Sequence, residues 1–198
     1  MDWTLRALTP ERWDDFEALF ASAGGVCGGC WCMFWRLEQG ETFDALKGEP
    51  ARKRMKQWVL AGRALGVLAY AGDEPVGWLS FGPRRDYPKL DRAPSLRAED
   101  AERVWSLPCF FVKRGFRGQG VARALLDRAL AELVERGATV AEAYPVRPKP
   151  DGSLSPASAY TGVVSLFEKA GFSIEQTRPS GKQRMRKRLG PKGRAAPR

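Results

Sequence analysis

The chain has no histidine, so a histidine base and an imidazole metal ligand are both excluded. Cysteine is nearly as scarce. Three of the four stand in Cys27-Gly28-Gly29-Cys30-Trp31-Cys32 and the fourth is Cys109. A structural zinc takes four ligands, usually two such pairs or a pair with histidines. Only three cysteines completed by Cys109 or a carboxylate would remain, and no metal is expected. A redox Cys-x-x-Cys also lacks its thioredoxin-like βαβ setting. No apolar run approaches the ~18 residues of a membrane span. The opening residues Met1-Asp2-Trp3-Thr4-Leu5-Arg6 lack the basic-then-apolar layout of a secretion signal. A soluble, cytoplasmic protein is the expectation, with no membrane partner.

Acidic residues are missing from one end. Residues 179–198 hold eight Lys/Arg and no Asp or Glu, within a net charge of +10. The rest of the chain carries 25 basic and 23 acidic residues, so it is nearly neutral. The basicity therefore belongs to the last strand and tail, and reads as a solubilising end on a charged edge strand. Nucleic acid is not an expected partner.

What is present is concentrated in one run, Phe110-Phe111-Val112-Lys113-Arg114-Gly115-Phe116-Arg117-Gly118-Gln119-Gly120-Val121-Ala122-Arg123. A β-prone segment enters a basic glycine turn, and the turn opens a helix. Unpaired N–H groups at a helix N-terminus, with the dipole behind them, favour an anion. Gly118 and Gly120 let the main chain approach a phosphate closely. Lys113, Arg114, Arg117 and Arg123 add positive charge. Spacing narrows the reading. A Walker loop needs Lys then Ser/Thr after its last glycine, where this chain has Val121 and Ala122. A Rossmann fingerprint needs Gly or Ala where Arg123 stands.

The remaining pattern, Arg-x-x-Gly-x-Ala over residues 117–122, resembles the acyl-CoA loop of the GNAT superfamily of N-acyltransferases. Val112 and Phe116 match its apolar and aromatic positions. Leu166-Phe167-Glu168-Lys169-Ala170-Gly171-Phe172 is similar to the family's Leu-Tyr-x-Lys-x-Gly-Phe segment. The resemblance implies an α/β (α+β) fold: a mixed, mostly antiparallel sheet of about six to seven strands flanked by helices. It implies acetyl-CoA as cofactor, a small-molecule or peptide amine as acceptor, and direct attack in a ternary complex. Phe111 and Val112, and less directly Lys113, would pair with the pantetheine arm. Arg117, Gly118, Gln119, Gly120, Val121 and Ala122 would hold the pyrophosphate, and Phe167 belongs to the same cofactor set.

The rest of the pattern fits a single domain over residues 1–189, a basic tail over 190–198, and a monomer or homodimer. Strands are expected at 4–7, 65–71, 76–81, 104–112, 139–144, 172–177 and 183–189. Helices are expected at 10–22, 50–61, from residue 121 to Gly137, and at 161–170. The first helix has its apolar face on Trp13, Phe16, Leu19 and Phe20. The Pro/Arg/Asp-rich stretch 83–100 reads as a long mobile loop.

One departure matters for chemistry. The family often protonates the leaving thiolate with the tyrosine of its Tyr-x-Lys-x-Gly-Phe segment, and Phe167 has no proton to give. Tyr160 stands where an asparagine is often found seven residues earlier. The replacements are Tyr160, Tyr144 and Cys109, with Glu142 as a base or water-positioner. Each has a structural reading too: a core tyrosine with a satisfied hydroxyl, a solvated strand carboxylate. Between the first two helices, Trp31, Met33, Phe34 and Trp35 would wall the acceptor side, with Arg36 available to an acidic group. A non-catalytic acyl-CoA-binding module is the alternative function.

Overall fold

The computed structural model describes residues 2–26, 28–148, 159–176 and 181–190. Seven strands form one sheet: β1 (Thr4–Ala7), β2 (Gly66–Ala71), β3 (Glu74–Pro83), β4 (Val104–Val112), β5 (Val140–Ala143), β6 (Ser173–Gln176) and β7 (Arg184–Arg188). Their order is β1-β2-β3-β4-β5-β7-β6. Only β4 and β5 run parallel; the other neighbours are antiparallel. The structure thus has the mixed, mostly antiparallel sheet that the sequence predicts.

Helices cover both faces. On one side lie α1 (Trp13–Ala21), the short α2 (Phe43–Leu46) and α3 (Glu49–Leu60). The apolar stripe of α1 repeats at helical spacing and is wholly buried, with Phe16 edge-on to Trp78 at 5.0 Å. On the other side α5 (Val121–Glu135) buries Val121, Leu125, Leu126, Ala129 and Leu133 against the sheet. Shorter helices are α4 (Lys89–Arg92) and α6 (Val164–Glu168). Burial of these apolar faces is the main stabilising contribution, at ~25 cal/mol per Å² removed from water.

Two features of β4 open the sheet. Between Ser106 and Cys109 it carries one residue more than β3 opposite, since Gly82 pairs with Ser106 and Ser80 with Cys109. Pro108 lies in this bulge, where a residue without an N–H is tolerated. Pairing with β5 extends only from Val104↔Val140 to Leu107↔Ala143. Beyond it the strands part, and the Phe110 N–H donates instead to the Tyr160 carbonyl at 2.6 Å.

Several expectations are corrected. The first helix begins as a 3-10 turn, Pro10–Arg12. The helix expected over 161–170 is only α6, because Gly162 at φ +81° sets a turn ahead of it; a Cβ there would meet the Phe167 ring at 2.8 Å. The edge strand is β6, and β7 lies inside it. Residues 83–100 are no open loop. They form a 3-10 turn (Arg84–Asp86) and α4, with Tyr87, Leu90 and Leu96 buried beside Trp35 and Tyr144. This polar-looking stretch packs because Arg84 is neutralised internally, by Glu142 and Asp91. Of the expected tail 190–198, all but Gly190 lies outside the described residues, as does Cys27. No helix among the described residues is long and apolar enough to cross a membrane.

Candidate active site

The glycine turn between β4 and α5 opens onto a cavity of about 560 Å³. Val112, Phe116, Arg117, Gly118, Gly120, Val121, Ala122 and Arg123 line it from the turn, and Ser165, Leu166 and Lys169 from α6 and its end. Gly118 and Gly120 have φ of +75° and +87°, a left-handed backbone that favours glycine. A Cβ at either would meet nothing within 4 Å, so conformation rather than crowding selects glycine there. The first bond of α5 runs from the Ala124 N–H to the Gly120 carbonyl at 3.0 Å. The N–H groups of Val121, Ala122 and Arg123 precede it and have no intrahelical acceptor. Open amides, a helix dipole and nearby cations suit a phosphate or pyrophosphate.

The cations divide. Arg117 borders the cavity and donates from Nε to the Val112 carbonyl at 3.0 Å. Arg123 borders it too, held by Asp127 at 2.7 Å and the Lys169 carbonyl at 2.9 Å. Lys113 instead pairs with Glu74 at 2.8 Å. Gln119 turns its amide to the Gly115 carbonyl at 2.7 Å and so braces the turn. Lys169 was present in the Lys-x-Gly-Phe pattern, but nothing in the sequence marked it or Ser165 as a wall of this cavity.

A second cavity of about 560 Å³ shares Val112, Arg117, Ala122 and Leu166 with the first. It follows the parted edge of β4 past Phe110 and Phe111 to Ala159, Tyr160 and Gly162. Strand alternation decides which main-chain groups face it. The Lys113 N–H donates to Val76 on β3 at 2.9 Å, so Phe111, two residues back, also turns its backbone toward β3. Phe110 and Val112 turn theirs to the open side.

Tyr160 also borders a third cavity, of about 210 Å³, with Cys30, Cys32, Phe34, Trp35, Phe43 and Cys109. The Tyr160 ring lies 6.4 Å from Trp35 and edge-on to Phe34 at 6.3 Å. Of the four expected wall residues, Phe34 and Trp35 line this cavity. Trp31 stacks on Phe20 at 5.8 Å in the core, and Met33 is fully buried there. Phe43 carries no signal in the sequence. No Asp or Glu among the described residues borders any of the three cavities.

Tyr144 and Glu142 lie elsewhere. Both are completely buried, and neither lines these cavities. Arg84 joins them, donating to Tyr144 at 2.8 Å and also to Glu142, whose far oxygen accepts from Arg186 at 2.6 Å. Burial, followed by the Glu142 charge, pushes the Tyr144 phenol well above its ordinary value. Glu142 is thus not a solvated carboxylate but the centre of a closed ion network. Phe167 is fully buried, edge-on to Phe110 at 5.8 Å and to Phe172 at 5.1 Å, and lines none of the three cavities. Arg36 is enclosed between Trp58 and Tyr87, 5.0 and 4.3 Å from their ring centres.

A parted parallel pair within a mostly antiparallel sheet, with an anion turn at the end of the central strand, defines the acetyltransferase class of fold. The sequence pattern of the acetyltransferase (GNAT) family matches residues 31–149, and the chain belongs to that family. Solved structures agree in fold. A ribosomal-protein-alanine N-acetyltransferase from Brucella melitensis is 18% identical, with a TM-score of 0.57 over 94% of this chain and 99% of that one. A PaiA N-acetyltransferase from Thermoplasma acidophilum, in complex with coenzyme A, is 14% identical, with a TM-score of 0.56 over 95% and 99%. A GCN5-related N-acetyltransferase from Kribbella flavida is 18% identical, at 0.54 over 94% and 98%. A comparison with curated protein sequences finds no match.

Proposed function

We propose that this protein transfers an acetyl group from acetyl-CoA to a primary amine of a small molecule or peptide, by direct attack within a ternary complex. The observation that carries this reading is the set of walls that the three cavities share. An anion turn leads along the parted edge of β4 into an aromatic cavity, with Tyr160 at the junction of the last two. Coenzyme A fits the residues present. Its pyrophosphate would meet the open amides of α5 with Arg117, Arg123 and Lys169, and its arm would lie along Val112. The coenzyme A complex of the Thermoplasma relative supports that assignment.

Acetyl-CoA supplies the activated thioester; the chain binds and orients it. Holding amine and thioester together supplies about 7–11 kcal/mol of the barrier when the alignment is good. Tyr160 is the assigned acid for the departing thiolate, because its hydroxyl belongs to the ring that joins the cofactor groove to the acceptor cavity. With no carboxylate among the described residues of its walls, the cavity suits a compact aromatic or apolar amine better than a polyamine. A binding module without turnover is the second reading, favoured by the absence of a hydroxyl at Phe167.

Incubation with acetyl-CoA and a mixture of primary amines, followed by mass spectrometry of the products, tests the proposal. Acetylated aromatic or apolar amines are expected. Saturable coenzyme A binding with no acetylated product would favour the binding module.

A further inference from the structure

Arg36 is a buried cation. It is 1% exposed, and no Asp or Glu among the described residues forms an ion pair with it. Its Nη2 donates to the Tyr87 hydroxyl at 3.0 Å and to Ser80 Oγ at 3.5 Å. Its Nε and Nη1 have no hydrogen-bond partner among the described residues. A guanidinium removed from water in this way needs a compensating charge.

The Arg36 charge acts on the buried thiol of Cys32. Trp78 Nε1 donates to that sulfur at 3.3 Å. A hydrogen directed at a sulfur stabilises its anion more than the neutral thiol. Trp31 and Cys32 hold left-handed backbones at φ +44° and +62°, uncommon for side-chain-bearing residues and found where the surroundings over-determine them. Cys32 also lines the aromatic cavity.

We infer that Cys32 rests as a thiolate balanced by Arg36 and serves as the base that takes the proton of the acceptor amine. The base role rests on the proposed function for its substrate, while the thiolate can be tested without substrate. The groups facing the sulfur are Arg36 from its turn, Trp78 and Ser80 from β3, and Cys109 from β4; Tyr87 reaches it through Ser80. The Cys109 hydrogen bond outweighs burial, and with Arg36 it lowers the Cys32 thiol to about 7. A base of that strength is matched to neutral pH. In the step, nitrogen bonds to the acetyl carbon and the carbon–sulfur bond of the thioester breaks. The amine proton passes to Cys32 and Tyr160 gives one to the departing thiolate; Cys32 then returns its proton to Tyr160 through solvent.

Alkylation of the full chain by iodoacetamide, without acetyl-CoA or amine, tests the thiolate through the pH dependence of labelling at each cysteine. Labelling of Cys32 is expected to rise through a midpoint near 7, and Arg36→Gln to move that midpoint upward. A Cys32 midpoint in the ordinary thiol range, about 8.5, or one indifferent to Arg36→Gln, overturns the inference. The base role is read in the pH profile of acetyl transfer. Cys32→Ser should lower kcat about a hundredfold and remove the acid limb, with coenzyme A affinity retained. Full-rate transfer by Cys32→Ser overturns that role. A protein that transfers no acetyl group fails the proposed function and the base role together, while its Cys32 midpoint still decides the thiolate.

Discussion

Tyr144 donates its hydroxyl hydrogen to Glu142 across 2.7 Å, and both groups are closed over by Arg84. Arg84 joins the end of β5 to the segment after β3, and neither group lines the cofactor groove. Glu142→Gln removes the charge that balances Arg84 and Arg186. Loss of one partner of a buried pair costs about 3–5 kcal/mol, readable as a lower denaturant midpoint. Tyr144→Phe should cost about 1 kcal/mol and leave the pH profile of transfer unchanged.

Gly120 begins α5 in a left-handed conformation. Gly120→Val forces a β-branched residue into that region, at about 1–2 kcal/mol of local strain. The turn would relax away from the cavity and its amides would lose alignment. Coenzyme A affinity should fall about tenfold or more, measured by calorimetry, while the far-ultraviolet circular dichroism stays that of the parent.

Tyr160→Phe keeps the ring against Trp35 and Phe34 and removes only the hydroxyl. General-acid catalysis contributes about 10²–10⁴-fold, so kcat should fall by at least the lower figure. The dissociation constant for coenzyme A should stay within a factor of about two, far below the tenfold that 1.4 kcal/mol represents. An unchanged kcat would assign Tyr160 to the wall alone.

Asp100 tethers the end of the 83–100 segment to β7, accepting from Arg186 at 2.7 and 2.8 Å. Those hydrogen bonds hold its carboxyl below the ordinary 3.8. A folded-state value below the unfolded one stabilises the fold above the unfolded value, and that stability is lost as pH falls through the folded value. Asp100 is half exposed, so the effect should be under about 1 kcal/mol. Asp100→Asn should flatten the decline of the unfolding midpoint below pH 4, compared with the parent chain.

The strands, the long helices and the turn at Gly118 and Gly120 were legible because they follow period and glycine spacing, which are local. The folding of residues 83–100 was not, because it depends on Arg84 meeting Glu142, 58 residues away. The same limit hid the inner cavity. Phe34 and Trp35 were readable as aromatic walls, but Trp31 and Met33 share their composition and point into the core. Tyr144 directly follows β5, next to the cofactor strand, and only its hydrogen bonds reveal that its hydroxyl is already engaged. Cys32 was visible as a cysteine, yet its chemistry comes from Arg36, Ser80, Trp78 and Cys109, brought together by three separate segments.

The most direct measurement is release of free thiol from acetyl-CoA by the full chain, with and without a panel of primary amines, beside coenzyme A binding in the same preparation. The account predicts saturable thiol release that depends on the amine and is matched one for one by acetylated product. Tight coenzyme A binding with no amine-dependent release across the panel would contradict it.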